Sequence, residues 1–558
     1  MITDFPMWMR ILEGKIKKQV TSFFTIVEKI IKNDNNSTEQ IVESLFDLYL
    51  ETESLKEYEL QKEQYGYHVK CDNSVINTLS SNSDMILLRI HKIVKSMAKC
   101  DIVSVKGIVN YINQFDYIKK SHFESLSDQE ISILYQKYLT DIIGSKILVD
   151  NYEINLLDGL KTVEGLIQLN RKLCDLENQS FSSLKKVMDF KLSKAPYFCN
   201  DKNASILDMS AKENNISTES IEILQSAVRD NIKTSLLARN YLFDKIDGNL
   251  LKNLRIRNAP LVIKNSTNSN SLFFSYEDGI KIIKEAFSVV SDEMSDFVSF
   301  MVENNLIEHT VNTLKSLGAN ATSYQNSAKI SVVFMQYKCD LPSVITLAHE
   351  LGHAYHHSKL MASPNYERDY PLVLAESASM FAENLVINHL SKKYSNSIEI
   401  DVIRHERIIK AFDLMIMVPS RFDFEKDIYS LREKGLLTKE SIYLASKENK
   451  KDWYGRSNGI ENANEWLLVR HYFMPNNSFY NYPYYFGFIF NAALLKHSSD
   501  AGFMDKFNDL LIKSGNRNVS VRDLLLNTFS FDIESADFWN ESISTINDIL
   551  INDINSFK

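Results

Sequence analysis

The stretch that decides how this chain is interpreted is VITLAHELGHAYHH, residues 344–357. Apolar residues lead into the first histidine, and the pattern predicts a helix. On that helix His349 and His353 are four residues apart, so both imidazoles lie on one face and can bind a single ion. Glu350 follows the first of them. Imidazole and carboxylate ligands with one open position are typical of catalytic zinc sites, whereas structural zinc sites are closed and rich in cysteine.

A third protein ligand is needed, and the chain offers several acidic residues downstream: Glu367, Asp369, Glu376 and Glu383. We choose Glu376 because it lies in LAESASMFAE, residues 374–383, soon after Pro371, which can open a helix. The small residues around it allow tight packing against the first helix. Glu383 falls two turns later on the same face, where it is either a residue that orients a ligand or a solvated surface carboxylate.

Three other residues of the 344–357 stretch have two interpretations each. A glycine inside a helix, such as Gly352, lowers the stability of the helix by about 1 kcal/mol relative to Ala. We therefore expect a ligand or another backbone to approach it so closely that a side chain would not fit. His356 follows His353 by three residues and is placed to support the site, whereas His357 faces elsewhere. A structural role is the interpretation that we favour for both of these histidines.

Composition indicates a large, mostly helical protein. With 558 residues the chain exceeds the size at which one hydrophobic core stops growing, so two or more lobes are expected. Only 16 Gly and 9 Pro interrupt it, which favours helices over many short strands and turns. The five cysteines are an odd number without a C-x-x-C pair, which suits reduced thiols and predicts a cytoplasmic location.

Charge and hydropathy argue against several other classes of protein. The net charge of -9 is spread along the chain with lysines interleaved, so no basic stripe for a nucleic acid is expected. Residues 1–17 mix apolar and charged side chains, and we expect no export signal there. No apolar run is long enough for a membrane span, so we expect none.

Changes in composition predict where lobes begin and end. The motif Ser37-x-x-Gln40 is a capping-box signature and predicts the start of a second helix. A polar region at 200–218 marks a soft boundary. We therefore predict an N-terminal helical lobe at 1–200 and a catalytic lobe at 201–558.

Two elements are predicted within the catalytic lobe before the histidine helix. The motif Ser275-x-x-Asp278 predicts a capped helix that runs to about Val302. The segment KISVVFMQY, residues 329–337, is dense in β-branched and aromatic residues and predicts a strand. Such a strand, at the edge of a sheet, would bind an extended peptide through its backbone, while the alternative is a buried strand.

These motifs resemble oligoendopeptidase F and its thimet-oligopeptidase relatives, zinc peptidases that act on short peptides. The segment 331–357 is similar to the family's edge strand, connector and H-E-x-G-H-x-x-H helix, and 374–383 resembles its third-ligand helix. RFDFEKDIY at 421–429 and WLLVRHYFMPNNSFYNYPYYFGF at 466–488 resemble later family blocks. The polar segment LGANATSYQNSAKI, residues 317–330, departs from the basic, glycine-containing segment of the family.

The resemblance implies one zinc ion per chain, bound by His349, His353 and Glu376, with Glu350 as general base and then general acid. It also implies that His471 and one or two tyrosines of the 480–485 group face the substrate. Our first choices among these tyrosines are Tyr480, Tyr482 and Tyr484, with Tyr485 behind them. The implied fold is mostly α, with two helical lobes around a deep substrate channel and a small β-sheet beside the zinc-binding helix.

The expected activity is zinc-dependent hydrolysis of internal bonds in short peptides. One alternative is a metal-dependent carboxypeptidase, which removes residues from the end of a peptide. Another is a non-catalytic peptide-binding homologue that retains a vestigial site. The positions of cleaved bonds separate the first two, and Glu350→Gln separates both from the third.

Overall fold

A computed structural model gives the structure of the chain. The residues that it describes are 6–33, 36–62, 71–96, 146–149, 152–155, 163–244, 273–311, 320–324, 329–397, 399–454, 466–467, 469–475 and 477–557, with isolated positions between 105 and 137. Most of them are helical and only short strands occur among them, which confirms the predicted mostly α class. Among these helices, none combines the length and the apolar character that crossing a bilayer requires.

We number the helices of the described residues in chain order. They are α1 (Met7–Ile31), α2 (Thr38–Gln61), α3 (Asn73–Ser96), α4 (Val163–Cys199), α5 (Ile206–Glu213), α6 (Thr218–Asp230), α7 (Ile232–Asp244), α8 (Tyr276–Ser288), α9 (Asp292–Glu303), α10 (Leu341–Leu360), α11 (Leu372–Lys393), α12 (Ile400–Phe412), α13 (Val418–Glu433), α14 (Lys439–Tyr454), α15 (Tyr482–His497), α16 (Phe503–Lys513), α17 (Val521–Phe529) and α18 (Ala536–Asn555). A π-helical turn spans Asp413–Met417 between α12 and α13.

The strands form two small sheets. Their bounds are β1 (Lys146–Val149), β2 (Tyr152–Asn155), β3 (Ile307–Glu308), β4 (Asn320–Tyr324) and β5 (Ile330–Phe334). β1 and β2 pair antiparallel, and the second sheet has the order β3-β5-β4, with β5 parallel to β3 and antiparallel to β4.

Two compact units are built from interleaved segments of the chain. The first comprises Met1–Ile118, Leu272–Lys393 and His497–Val519, and the second comprises Lys119–Ser271, Tyr394–Lys496 and Ser520–Lys558. This division groups residues by their contacts, whereas the predicted lobes were defined by a change in sequence composition. The lobes at 1–200 and 201–558 therefore stay a prediction.

The strand predicted at 329–337 exists as β5, but it is not a free edge. Val333 pairs with Ile307 of β3 and with Ala321 of β4, so the sheet continues on both sides of the strand. A peptide has no access to backbone groups that already bond to two neighbours. The expectation that 330–337 binds a peptide as a free sheet edge is therefore wrong at 333–334, where neighbours pair on both sides, and the buried-strand alternative fits there.

The helix predicted from Ser275 to about Val302 is two helices. Ser275 caps α8 by accepting a hydrogen bond from the Asp278 amide, as the motif predicts. A second cap interrupts the pattern, because the Ser291 side chain accepts from the Met294 amide and starts α9. By contrast, the capping box of Ser37 at the start of α2 is present with both of its hydrogen bonds.

The histidine helix α10 begins at a well-defined cap in the first unit. The Asp340 side chain accepts from the Ser343 amide at 2.9 Å, and Pro342 lies in the first turn, where its missing N–H costs nothing. Cys339 just before the cap has a φ of 60°, which turns the chain from β5 into the helix. β5, this cap and α10 thus fix the direction in which the histidines project.

Candidate metal centre

The two histidines of α10 converge as their spacing predicts. His349 and His353 have Nε2 atoms 3.1 Å apart, with ring centroids 4.7 Å apart and ring planes inclined at 84°. Two nitrogens that share one proton or one cation account for so short a distance. The helix therefore supplies two ligand atoms to a common point.

Glu376 reaches the same point from α11. Its Oε2 lies 3.5 Å from Nε2 of His349, and its Oε1 lies 4.0 Å from Nε2 of His353. The three ligand atoms all lie within 4.8 Å of one another. The carboxyl is buried at 3% exposure, so the site is shielded from bulk water on this side. Among the acidic residues considered from the sequence, the structure brings Glu376 to the histidines.

The donor set fits a zinc ion. Bonds of 2.0–2.1 Å in a tetrahedral site place neighbouring ligand atoms about 3.3 Å apart. The separations of 3.1 Å between the two Nε2 atoms and 3.5 Å between His349 and Glu376 lie close to that value. Two imidazoles and one carboxylate leave a fourth position for water or substrate.

The sequence left two roles open for Glu383, and its position in the structure favours that of a residue that orients a ligand over that of a solvated surface carboxylate. Its Oε1 lies 2.6 Å from Nδ1 of His349. Since Nδ1 donates its hydrogen to the carboxylate, Nε2 is the nitrogen that can bind a metal once it has released its own proton. Burial alone would lower the pKa of His349, but the hydrogen bond and charge of Glu383, followed by the charge of Glu376, raise this pKa to about 9.

Glu350 lies between the two histidines in sequence and is buried at 5% exposure. Its Oε2 has no hydrogen-bond partner among the described residues, although a buried carboxylate oxygen normally has one. Burial raises the pKa of Glu350 to about 7, the positive charge of His349 opposes the rise, and the charge of Glu376 adds to it. A carboxyl with a pKa near neutrality is suited to take up a proton and to release it.

The neighbouring histidines are structural, as we favoured. His356 is fully buried, its Nε2 is 2.8 Å from Oγ of Ser514, and its ring lies 4.2 Å from that of Tyr370. His357 has its Nδ1 2.9 Å from Oγ of Ser331. Burial lowers the pKa of His356 to about 3 and that of His357 to about 4, so both stay neutral.

Gly352 is the point of closest approach between α10 and α11. A Cβ at this position would lie 2.7 Å from the Ser379 Cα and 2.9 Å from the Ala382 Cβ. Contacts below 3.0 Å require one helix to move. The glycine is therefore explained by the backbone of the helix that carries Glu376, one of the two reasons expected.

A second cluster of candidate residues lies in the other unit. His471 has its Nδ1 3.1 Å from Oδ1 of Asn481, and its ring centroid lies 4.8 Å from that of Tyr480. The Tyr480 ring in turn lies 5.8 Å from that of Tyr484. These three rings are partly exposed. The structure thus brings together His471 and two of the predicted tyrosines.

Tyr482 and Tyr485 lie apart from this cluster in the core of the same unit. Both are fully buried. The Tyr482 hydroxyl donates to the Ser210 carbonyl at 3.5 Å, and the Tyr485 hydroxyl donates to Oε1 of Gln225 at 2.8 Å. The substrate-facing role of Tyr482 stays a prediction, and burial of its phenol does not favour it.

Sequence reasoning did not identify Asn481. Its side chain fixes the orientation of His471, yet an asparagine among polar loop residues gives no periodic signal. Its position between Tyr480 and Tyr482 in an aromatic run was the available hint.

Comparison with known proteins supports the predicted resemblance. Residues 276–545 match the model of Peptidase family M3. The chain is 23% identical over 530 residues to the oligoendopeptidase F homolog of Lactococcus lactis subsp. lactis (strain IL1403), covering 87% of this chain and 82% of that protein. These two matches confirm the resemblance to the oligoendopeptidase F family.

Solved structures share the fold at low identity. Oligoendopeptidase-F from Enterococcus faecium gives a TM-score of 0.59 at 14% identity, covering 98% of this chain and 99% of that one. An M32 carboxypeptidase from Deinococcus radiodurans R1 gives 0.57 at 11% identity, covering 92% and 100%. Because both an endopeptidase and a carboxypeptidase have this fold, the fold alone does not select the position of the cleaved bond.

Proposed function

We propose that this chain, a metallopeptidase whose residues 276–545 belong to Peptidase family M3, is a zinc-dependent endopeptidase that hydrolyses internal bonds of short peptides. The observation that carries the proposal is the convergence of His349, His353 and Glu376 beside the buried carboxyl of Glu350. The sequence relative from Lactococcus lactis is named for endopeptidase activity, which favours internal over terminal cleavage.

Three side chains would hold the zinc ion: His349 and His353 through Nε2, and Glu376 through its carboxylate. When bound, zinc lowers the pKa of a coordinated water and polarises the carbonyl of the cleaved bond. Glu383 keeps His349 in the tautomer that presents Nε2. These four residues come from two adjacent helices whose close packing fixes their mutual positions.

Glu350 is the proposed general base and acid. Its Oε2 accepts the hydrogen bond of the attacking water and takes the water's proton as the new carbon–oxygen bond forms. The same carboxyl then donates that proton to the nitrogen of the leaving amine as the peptide bond breaks. Burial favours the protonated form of Glu350, so the transfer to the amine has a suitable donor.

His471 and Tyr480 are the proposed donors to the carbonyl oxygen of the bond being cleaved. That oxygen gains negative charge in the tetrahedral intermediate, and hydrogen bonds that strengthen there lower the barrier. The bond of His471 Nδ1 to Oδ1 of Asn481 orients the ring. Since Nδ1 donates its hydrogen to that oxygen, Nε2 donates to the substrate oxygen only in the imidazolium form of the ring, in which both nitrogens carry hydrogen. Tyr484 packs beside Tyr480 and supports its ring.

A cleavage map tests this function. The purified protein is incubated with a defined short peptide, with a chelator and then with zinc restored, and the products are identified by mass spectrometry. Internal cuts that disappear on chelation and return with zinc support the proposal. Stepwise loss of C-terminal residues would instead support the carboxypeptidase, and a complete absence of cleavage would support the peptide-binding homologue.

A cytoplasmic location remains part of the proposal. Among the described cysteines, Cys71, Cys199 and Cys339 are free thiols, which suits a reducing compartment. Fractionation of cells that produce the protein, followed by immunodetection, tests it. Recovery in a secreted or periplasmic fraction would contradict this location.

A further inference from the structure

A buried lysine that is distant in sequence from the candidate site residues hydrogen-bonds to the backbone next to His471. Lys191 of α4 is fully buried, and its three ammonium hydrogens have three acceptors. Its Nζ lies 3.1 Å from the Tyr429 hydroxyl, 3.2 Å from the Tyr472 carbonyl and 2.8 Å from the Asn477 carbonyl. Two of the three acceptors belong to the segment that connects His471 with Tyr480.

A buried glutamate holds the other end of this segment. Glu425 of α13 is fully buried, and its Oε1 accepts the Phe479 amide at 3.0 Å. Phe479 has a φ of 52°, in the left-handed region that costs a non-glycine residue free energy. The hydrogen bond that the Phe479 amide donates to Glu425 stabilises this conformation, which immediately precedes Tyr480.

The two charges influence each other within the same core. Burial lowers the pKa of Lys191, and the charge of Glu425 opposes this shift. Burial raises the pKa of Glu425, and the charge of Lys191 opposes that shift. Burying two ionic groups costs free energy that apolar residues of the same size would not cost. A need for polar contacts to the backbone between His471 and Tyr480 explains why a lysine and a glutamate are buried here.

Residue Ser478 adds a third attachment between the other two. Its carbonyl accepts a hydrogen bond of 2.8 Å from the Ser210 hydroxyl of α5. Side chains from α4, α5 and α13 therefore bind backbone groups of Tyr472, Asn477, Ser478 and Phe479. We call residues 472–475 and 477–479 the clamped loop.

We propose that Lys191 and Glu425 are positioning residues, which hold the clamped loop so that His471 at one end and Tyr480 at the other present their side chains to the substrate. The inference rests on the proposed function of His471 and Tyr480. Neither Lys191 nor Glu425 touches the reacting atoms. Both act through the loop backbone that they bind.

The first part of the test measures the loop itself. Hydrogen–deuterium exchange of the full-length Lys191→Met protein is compared with that of Lys186→Met, which changes an exposed lysine of the same helix. We expect faster exchange in peptides that cover residues 470–481 and unchanged exchange in α18. If Lys191→Met fails to fold, Lys191→Met combined with Glu425→Gln removes both charges and keeps an acceptor for the Phe479 amide. Unchanged exchange in the loop would overturn the proposal.

The second part measures turnover in a double-mutant cycle. We expect Lys191→Met to lower kcat roughly ten- to hundredfold with a small change in KM, since misplaced catalytic groups cost that much. In a His471→Ala background the same substitution should cost little more, because both changes remove one contribution. A purely structural role would lower kcat by the same factor in both backgrounds, which overturns the inference, as does a kcat equal to that of Lys186→Met.

The cycle also separates this inference from the proposed function. One outcome is that His471→Ala has the kcat of the unmodified protein while the clamped loop exchanges faster in Lys191→Met. The role proposed for His471 would then be wrong, and the contacts of Lys191 with the clamped loop would not contribute to catalysis. If His471→Ala is impaired and Lys191→Met is not, the role of His471 stands and the positioning inference is wrong. Glu433→Gln, an exposed change on α13, is the control for Glu425→Gln.

Discussion

The α10–α11 pair and the clamped loop both place a histidine beside other candidate site residues, but the two regions are held in different ways. On α10 and α11 the positions follow from helix geometry, since residues four apart share a face and Gly352 lets the two helices touch. In the clamped loop the positions depend on side chains from distant helices, including Lys191 and Glu425. The proposed metal site thus depends on regular helical backbone, whereas the conformation of the clamped loop depends on hydrogen bonds from side chains of other helices.

This difference predicts how each region responds to change. Substitutions in the helical pair should alter the reaction or the metal directly, one residue at a time. Substitutions that affect the loop should act through its conformation, so that a remote residue and a local one have overlapping effects.

The largest effect is expected at Glu350, within the helical pair. Glu350→Gln should retain zinc and lose roughly 10²- to 10⁴-fold in turnover, because it removes the proton acceptor but none of the ligands. Zinc content by elemental analysis and kcat on a quenched peptide measure the two quantities. Glu303→Gln, an exposed change on α9, is the matched control. Undiminished turnover would leave the helical pair without a catalytic role.

The aromatic block provides the next contrast, because Tyr480 is partly exposed whereas Tyr482 is buried. Tyr480→Phe should lower kcat roughly 10²-fold, as expected for loss of a donor to the oxyanion. Tyr482→Phe should leave kcat unchanged and reduce the free energy of unfolding by about 1 kcal/mol at most, since its hydrogen bond to Ser210 is long. Steady-state kinetics and urea unfolding check both, and the reverse order of effects would assign the substrate-facing role to Tyr482.

A smaller effect is expected at Glu383, which we propose orients the ligand His349 without binding the metal itself. Glu383→Gln should weaken zinc affinity roughly 10- to 100-fold, because the carboxylate that fixes Nδ1 of His349 is lost. Titration against a competing chelator gives the affinity. Turnover at saturating zinc should recover most of its value. Unchanged zinc affinity would show that helix geometry alone orients His349.

The smallest effect concerns the contact between the helices. Gly352→Ala should reduce the free energy of unfolding by about 1–3 kcal/mol, since the added methyl group has no room against Ser379. Gly14→Ala on α1, where nothing lies within 4 Å of the new methyl group, should instead stabilise by up to about 1 kcal/mol. Urea unfolding compares the two. Equal changes in the free energy of unfolding for the two variants would show that α10 can move away from α11 without loss of stability.

The same contrast explains what the sequence could predict. Helical spacing predicted that His349 and His353 share one helix face with Glu350 beside them, and the small residues of 374–383 favoured Glu376 among several carboxylates. The structure brings His349, His353 and Glu376 together. Those features are local, so a single sequence carries them. The mostly α class followed in the same way from the scarcity of glycine and proline.

Features that depend on distant parts of the chain could not be predicted. The central position of β5 depends on β3 and β4, which pattern alone did not reveal. The break between α8 and α9 came from Ser291, a cap inside an apolar pattern that continues on both sides. Tyr480 and Tyr482 look equivalent in sequence, and only tertiary packing buries one of them.

Anomalous diffraction at the zinc edge, from crystals of the purified protein grown with zinc, tests the central claim most directly. We expect one peak per chain within bonding distance of Nε2 of His349, Nε2 of His353 and the carboxylate of Glu376, with Glu350 outside that distance. A peak held by other residues, or no peak at these side chains at saturating zinc, would contradict the account.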